Sequence, residues 1–401
     1  MSTKRGTGSY DYIEAQDRWR WRGYYANPVT GKREIKALYG KSKKALREKV
    51  ENWLINIEDG HIELEISLSR WVDIWLNTVI GDSVKIRTRE TYEQIIKNYT
   101  LPVFGKYKLN RLTAQSYQEF LNELGNRLSP STVTKIRRYS IMCLDAAVKY
   151  GYVSSNPLRN TRPPRQSRKE IRALSLEELN KIIEIAREGK YQKEPRNDEG
   201  AAYLRYCYYA LITLAIDTGM RRGEILGLKW EDVFDDHILV RNSLVSARGG
   251  EFLDTPKTIN SSRKIVLGQR IINVLEDWKS TQGVYAAKYA GIFNNKHALV
   301  FTNSYGNFIS GTNFFKRCWR PILHQAGLEN VRFHDLRHSH ASQLLAAGVA
   351  PQIVSQRLGH GDVNVTLRVY AHLLPGMQEA ARDQLNDIFT DRDGDQNCQD
   401  L

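Results

Sequence analysis

The stretch from Asn156 to Lys169 constrains this chain more than any other. Pro157, Pro163 and Pro164 lack backbone donors, and Arg159, Arg162, Arg165, Arg168 and Lys169 are strongly hydrated, so the segment is too proline-rich and charged to pack. It reads as a basic linker. Beyond it, Ser175-Leu176-Glu177-Glu178 has capping-box spacing, and Leu179, Ile182, Ile183 and Ile185 follow as an apolar run. The 401 residues, of which 41% are hydrophobic, are therefore expected to form separately cored domains on either side of a flexible joint.

The first segment alternates. In Arg18-Trp19-Arg20-Trp21-Arg22 a strand period of two puts both tryptophans on one face and the three arginines on the other. Asn27-Pro28-Val29-Thr30-Gly31 turns the chain, and Arg33 to Leu38 returns as a second strand. Ser42 then caps a helix with Ala45, Val50, Trp53, Leu54 and Ile57 as its apolar positions. Arg18, Arg20 and Arg22 on the open face of such a ribbon are suited to reading bases, while a charged outer face is also how a small sheet stays soluble.

Residues 66–160 read as helices throughout. Ser67 opens a run with Trp71, Ile74, Trp75 and Val79 on one face; Thr88 to Tyr99 forms a segment closed by Pro102 and Gly105; Thr113 to Leu124 and Ser131 to Tyr150 add two more. Charge concentrates here. Of the net +14, residues 66–170 carry 18 basic against 8 acidic side chains, residues 1–65 carry 13 against 10, and the remainder 28 against 27. The middle segment is thus the expected sequence-independent clamp on phosphates, with Lys85, Arg87, Arg89, Lys135, Arg137 and Arg138 as contacts or as merely solvated charges.

No apolar run approaches the roughly 20 residues that span a bilayer, and the N-terminus lacks the apolar core of a signal peptide, so a cytoplasmic location is expected. Cys143, Cys207, Cys318 and Cys398 lie far apart with no C-x-x-C spacing, which suggests buried, reduced thiols and neither a zinc site nor a disulfide framework.

After the linker come, in order, Arg221 in D-T-G-M-R-R-G-E, Lys257 in T-P-K-T, His334 and Arg337 in H-D-L-R-H, His360 in L-G-H, and Tyr370 in R-V-Y-A-H. Cutting a phosphodiester with a phenol and no metal calls for such a set. With a reference pKa near 10 the phenol is a poor nucleophile at neutral pH unless a base takes its proton and fixed cations neutralise the phosphorane-like transition state. Two planar guanidiniums, Arg221 and Arg337, suit two non-bridging phosphate oxygens better than lysines. Glu224, three residues after Arg221, faces it if the segment is helical and orients the guanidinium. Lys257 falls on an expected hairpin between Leu239–Val245 and Arg263–Leu267, after a Gly249-Gly250 turn, where a flexible amine is placed to protonate a leaving 5′ oxygen; Lys229 and Lys264 lack its context. His334 and His338 have the i, i+4 spacing of metal ligands, but H-E-x-x-H is absent and the neighbouring arginines repel a cation, so no metal is assigned. Asp335 is expected to cap the helix, with His338 and His340 structural.

The ordered set resembles the catalytic signature of the tyrosine recombinases, the phage integrase family, through the whole C-terminal half. The resemblance implies that His334 is the acid/base partner of the tyrosine and that His360 bonds the phosphate. It also implies two successive transesterifications through a 3′-phosphotyrosine, with bond energy retained and no nucleotide or metal cofactor. The N-terminal ribbon resembles the three-stranded arm-binding domain of many integrases, and the helical segment their core-binding domain. In the family a tail comparable to the amphipathic run Met377–Phe389 docks on a neighbouring protomer, which implies a homotetramer on DNA.

The expected whole is a multidomain α+β chain. It has a small three-stranded β-sheet plus helix as arm-type DNA-binding domain (1–65), a helical core-binding domain (66–160), a basic linker (161–171), a mostly helical catalytic domain with a small β-sheet (172–390) and a polar tail (391–401). With a joint between two DNA-binding lobes, such a chain closes on a duplex as a C-clamp. The expected partners are double-stranded DNA at core-type and arm-type attachment sites and an excision factor. A type IB topoisomerase shares the chemistry, and a non-catalytic DNA-binding regulator would share the charge but not the six-residue set.

Overall fold

The computed structural model describes residues 8–26, 33–58, 66–165, 172–189, 191, 199–254, 262–359 and 362–364, with isolated positions between 382 and 389. The chain divides into two compact units, Met1–Arg168 and Lys169–Leu401.

The first unit begins with an antiparallel sheet in the order β1 (Ser9–Ile13), β2 (Arg18–Ala26), β3 (Arg33–Gly40), followed by α1 (Lys43–Glu58). Pairing of Tyr10 with Trp21 and of Trp21 with Leu38 puts these three on one face, where Trp21 is packed with Leu46 and Val50 of α1. Ser42 Oγ caps the helix at the Ala45 amide, 3.2 Å away. The expected ribbon is thus present with both tryptophans on its inner face, and two differences are local. β1 lies upstream of the alternating stretch, in a segment too short to show its own period. Leu46 occupies the buried position assigned to Ala45, which is exposed, because Leu46, Val50, Trp53 and Leu54 fall at helical spacing and Ala45 does not share their face.

The rest of this unit is helical: α2 (Leu68–Ile74), α3 (Ile86–Ile95), α4 (Leu101–Phe104), α5 (Ala114–Gly125) and α6 (Pro130–Lys149). The side chains of Ser67, Thr113 and Ser129 accept from amides of the first turns of α2, α5 and α6. α2 and α3 each widen into a π turn, Trp75–Ile80 and Ile96–Thr100, and the second lets the helical path run through Pro102 to Phe104 rather than stop before the proline. Trp71, Trp75, Ile96, Phe104, Tyr117 and Ile136 centre a core distinct from that of the sheet.

One sequence expectation fails here. The chain packs well past Asn156: Pro157–Asn160 forms a 3₁₀ turn, and Leu158 and Thr161 are buried. Arg159 is paired with Asp145, at 2.7 Å, and Arg137 donates to Thr161 Oγ1 and to the carbonyls of Thr161 and Arg159. Pro157 opens the turn, where its missing donor costs nothing, and the turn then inserts one apolar residue into the core. Residues 166–171 of the expected linker lie outside the described residues.

The second unit contains α7 (Leu176–Glu188), α8 (Glu199–Thr218), α9 (Arg222–Leu226), β4 (His237–Val240), β5 (Ser243–Ala247), β6 (Gly250–Asp254), β7 (Arg263–Val266), α10 (Gln269–Lys288), α11 (Gly311–Phe314), α12 (Arg320–Ala326), α13 (Asp335–Ala346) and α14 (Pro351–Leu358). The capping box of Ser175 and Glu178 starts α7 with both reciprocal bonds. α8 is the central helix, buried at Cys207, Leu211, Ile212, Leu214 and Ala215 and packed by α7, α10 and α13. Its apolar residues run round the whole helix, as expected of an element enclosed by neighbours.

The expected single strand Leu239–Val245 is divided. β4 pairs with β7, and β5 pairs with β6, as two separate two-stranded ribbons. The break falls at Arg241 and Asn242, both of which reach the buried carboxylate of Asp232, at 3.3 and 3.4 Å. Cys143, Cys207 and Cys318 are buried and unbridged, and burial pushes their thiols well above the usual range; Cys398 lies outside the described residues. Among the described residues no helix is long and apolar enough to cross a membrane.

Candidate active site

Arg221 sits at the N-cap of α9, a five-residue helix, rather than within it. At the third helical position Glu224 turns back, and its Oε2 accepts from the Arg221 amide at 2.9 Å while its Oε1 accepts from Arg221 Nη1 at 2.7 Å. The sequence expectation that Glu224 faces Arg221 thus holds by a capping geometry. It fixes backbone and guanidinium together.

Arg337, in the first turn of α13, donates from Nη1 to the Gly219 carbonyl at 2.9 Å and from Nη2 to the Leu358 carbonyl at 2.6 Å. Arg221 Nη2 approaches the next carbonyl, Gly359, at 3.3 Å. The two arginines, 116 residues apart in the sequence, therefore both bond the end of α14, at Leu358 and Gly359, and Arg337 also bonds Gly219, two residues before Arg221. Arg337 is 3% exposed and the Arg221 side chain 39%, so Arg221 is the more open of the two. Gly219 is required at this junction: its φ is +62°, and a Cβ there would stand 2.8 Å from His340 Cδ2 and Leu358 Cδ2.

His334 is the N-cap residue of α13. Burial and the charges of Arg337 and Arg221 lower its pKa, so it is neutral at pH 7 and able to accept a proton. Its ring meets that of His338 edge to face, with centroids 4.9 Å apart. Asp335 closes the turn before the helix by accepting from the Arg332 amide at 2.7 Å. Lys257, His360 and Tyr370 lie outside the described residues.

Sequence reasoning missed the groups beneath these. Arg263, the first residue of β7, is 6% exposed; its Nη2 and Nη1 grip Glu224 at 2.8 and 3.2 Å, and its Nε donates to the Arg357 carbonyl at 2.7 Å. Arg357 donates in turn to the carbonyls of Val266 and Asp217 and to His340 Nε2, at 2.9, 3.1 and 3.1 Å. Because the Ile216 carbonyl, 3.0 Å from His340 Nδ1, can only accept, Nδ1 carries the proton and Nε2 receives the one from Arg357. Burial, with the charge of Arg357 adding to it, pushes the His340 pKa down to about 4, and burial likewise takes His338 to about 4. Burial alone would raise the Glu224 pKa; the bonds and charge of Arg263, with those of Arg221, outweigh it and hold the carboxylate below its usual value. A signal for Arg263 existed. In β7 the inward position Ile265 is fully buried, and Arg263 shares its face while Lys264 and Val266 are exposed.

The basic residues of the first unit are held more loosely. On the outer face of the sheet Arg20 pairs with Asp11, Arg18 bonds Gln16 and stacks 4.2 Å over Tyr39, and Arg22 is exposed. α3 and α6 are neighbours, joined by Tyr92 and Tyr139 at 4.8 Å. Lys85 lies just before α3; on that helix Arg87 reaches Glu90 at 3.4 Å and Arg89 reaches Asn77 at 2.8 Å. On α6 Lys135 is exposed, and Arg138 lies over the Tyr139 ring at 4.9 Å. Arg137 differs from all of these in having its guanidinium committed to Thr161 and Arg159.

Two fixed guanidiniums whose charges both act on a neutral imidazole are groups suited to an anionic substrate. Comparison with known proteins agrees with that chemistry. The chain matches the phage integrase family over residues 172–376 and the integrase N-terminal SAM-like domain over residues 67–125. It is 29% identical over 396 residues to a tyrosine recombinase XerC-like protein of Caldanaerobacter subterraneus subsp. tengcongensis, covering 91% of this chain and 96% of that one. It is 28% identical to the ICEBs1 integrase of Bacillus subtilis, covering 81% and 84%. The Tn1549 transposon integrase, solved in complex with a circular intermediate DNA, shares the fold at a TM-score of 0.63 and 17% identity, over 80% of this chain and 99% of that one. With the family signature spanning the unit that holds Arg221, Glu224, His334 and Arg337, this chain belongs to the phage integrase family of tyrosine recombinases.

Proposed function

We infer that this protein is a site-specific DNA recombinase that cuts and rejoins strands to integrate or excise a mobile element. The observation that carries the reading is the anchoring of Arg221 and Arg337 on adjacent carbonyls at the end of α14, with neutral His334 at the start of the helix of Arg337. In this reading Tyr370 Oη attacks a DNA phosphate, its proton passes to His334, and the bond to the 5′ oxygen breaks with a proton supplied by Lys257. A 3′-phosphotyrosine and a free 5′ hydroxyl result. Arg221 and Arg337 carry the charge that builds on the non-bridging oxygens, and His360 adds a hydrogen bond. A 5′ hydroxyl from the partner duplex then attacks the phosphotyrosine and releases Tyr370. Two such exchanges complete recombination, with no nucleotide or metal in the balance.

The remaining assignments rest on the family and on charge. Residues 66–160 grip the core site, with Lys135, Arg138 and the α3 cations as phosphate contacts. Residues 1–65 read arm-type sites through the outer face of the sheet, where Arg22 is exposed beside Arg18, Arg20 and Tyr39. The assembly on DNA is a homotetramer in the cytoplasm, and an excision factor sets its direction. The test is a nicked attachment-site oligonucleotide, its sequence taken from the DNA flanking the gene. The intact protein forms a denaturation-resistant covalent adduct, and Tyr370→Phe binds the same DNA and forms none. An adduct from that variant would assign the nucleophile to another tyrosine.

A further inference from the structure

Arg263 is a charged side chain almost entirely removed from water, on a strand, two residues from the fully buried Ile265. Keeping a guanidinium there costs several kcal/mol unless it is paired and hydrogen-bonded. It is both. Its two Nη atoms fork onto the two oxygens of Glu224, and its Nε is bonded to the Arg357 carbonyl. Glu224 uses the same two oxygens for the amide and the Nη1 of Arg221. One carboxylate therefore joins two arginines, and its acceptor capacity is filled.

A second path runs between the same two side chains. The turn that ends α14 has Gly359 at φ +69°, and a Cβ at that residue would stand 3.0 Å from Arg263 Cδ, so the turn rests on the Arg263 stem. The Gly359 carbonyl is the acceptor for Arg221 Nη2. Arg221 is thus held at one nitrogen through Glu224 and at the other through Gly359, and both supports stand on Arg263. In the sequence, Arg263 also opens the strand that follows the segment containing Lys257, and Gly359 immediately precedes His360.

We propose that Arg263 is a positioning residue for strand cleavage, which orients Arg221 through Glu224 and through the Gly359 turn without touching the DNA. The proposal rests on the role given to Arg221 above. A lysine at this position keeps the charge beside Glu224 and loses the fork and the Nε bond.

The experiment compares the intact protein, Arg221→Lys, Arg263→Lys and the double variant. It measures single-turnover cleavage of the nicked attachment-site oligonucleotide, DNA affinity and thermal midpoint. Arg263→Lys is expected to slow cleavage by about 10-fold to 100-fold with affinity kept within about threefold. In the Arg221→Lys background the same change is expected to cost less than about threefold, since a group acting through Arg221 has nothing left to position. Two effects that multiply in full would overturn the proposal, as would unaltered cleavage by Arg263→Lys. Should Arg263→Lys fail to fold, Glu224→Gln breaks the same link from the other side and must show the same non-additivity. Normal cleavage by Arg221→Lys instead removes the role of Arg221 itself, a result separable from the others because it appears in the single variant.

Discussion

The two units of this protein treat positive charge in opposite ways. In the helical part of the first, cations other than Arg137 stand on the surface beside a carboxylate, amide or ring, as Arg87 does with Glu90 and Arg138 with Tyr139. In the second, Arg263, Arg337 and Arg357 are drawn inside, and each makes two or more bonds to backbone or carboxylate. Surface charge is mobile, hydrated and interchangeable, which suits a phosphate backbone that offers no single geometry. Enclosed charge is fixed before the substrate arrives, and that is what a transition state exploits. A count of charges finds the first kind and is blind to the second: residues 171–401, which hold the enclosed arginines, are almost neutral, with 28 basic against 27 acidic side chains.

The largest effect expected from this contrast comes from removing an enclosed arginine. Arg221→Ala or Arg337→Ala should lower single-turnover cleavage by on the order of 10²–10³ and weaken DNA binding much less. The two should then separate in stability. Arg337→Ala strands the buried carbonyls of Gly219 and Leu358, at about 1–3 kcal/mol for each unsatisfied group, whereas after Arg221→Ala the Glu224 carboxylate keeps both bonds to Arg263 and the emptied space adjoins solvent where the half-open side chain stood. Cleavage rates that stay normal while affinity collapses would make these arginines ground-state anchors, the role proposed for the surface cations of the first unit.

How much of this was legible follows the same line. The alternating Arg-Trp run, the caps at Ser42 and Ser175, and the helical periods are local signals, and the structure has them where the sequence puts them. Glu224 could be read from its i+3 spacing because its partner is a neighbour in sequence. The alternation of β7 marks Arg263 as inward, but the partners of Arg263, Arg357 and His340 could not be read, since the bonds that define them span 39, 91 and 124 residues. The packing of Leu158 and Thr161 was hidden for another reason: proline and charge report what a segment lacks, not whether a groove lies beside it.

A smaller effect tests whether the enclosure persists in acid. His340 has an unperturbed pKa of 6.5 and a folded value of about 4, so between these the unfolded chain holds the extra proton. Its contribution is intact above pH 6.5 and is lost as the pH falls toward 4. From pH 7 to pH 5 this amounts to about 2 kcal/mol. His340→Gln, which does not titrate, should lower the thermal midpoint at pH 7 and then lose less on acidification than the parent. Parallel curves for the two proteins would mean that burial and the charge of Arg357 do not hold His340 neutral.

The smallest effect decides which cations of α6 belong to which class. Lys135 and Arg138 are exposed, and Arg137, between them in sequence, gives its guanidinium to Thr161 and the Arg159 carbonyl. If surface charge is the binding device, Lys135→Gln with Arg138→Gln should weaken DNA binding and reduce the log–log salt slope by about 0.9 for each phosphate no longer neutralised, leaving the thermal midpoint in place. Arg137→Ala should do the reverse. It removes the bonds that close the 3₁₀ turn onto α6, so it should cost about 1–3 kcal/mol of stability while the salt slope stays the same. The contrast between the units would then be repeated within a single helix. A slope that falls for Arg137→Ala as much as for its neighbours would show that a side chain committed to its own fold can still be counted among the phosphate contacts, and that enclosure and binding are not separate uses of charge in this unit.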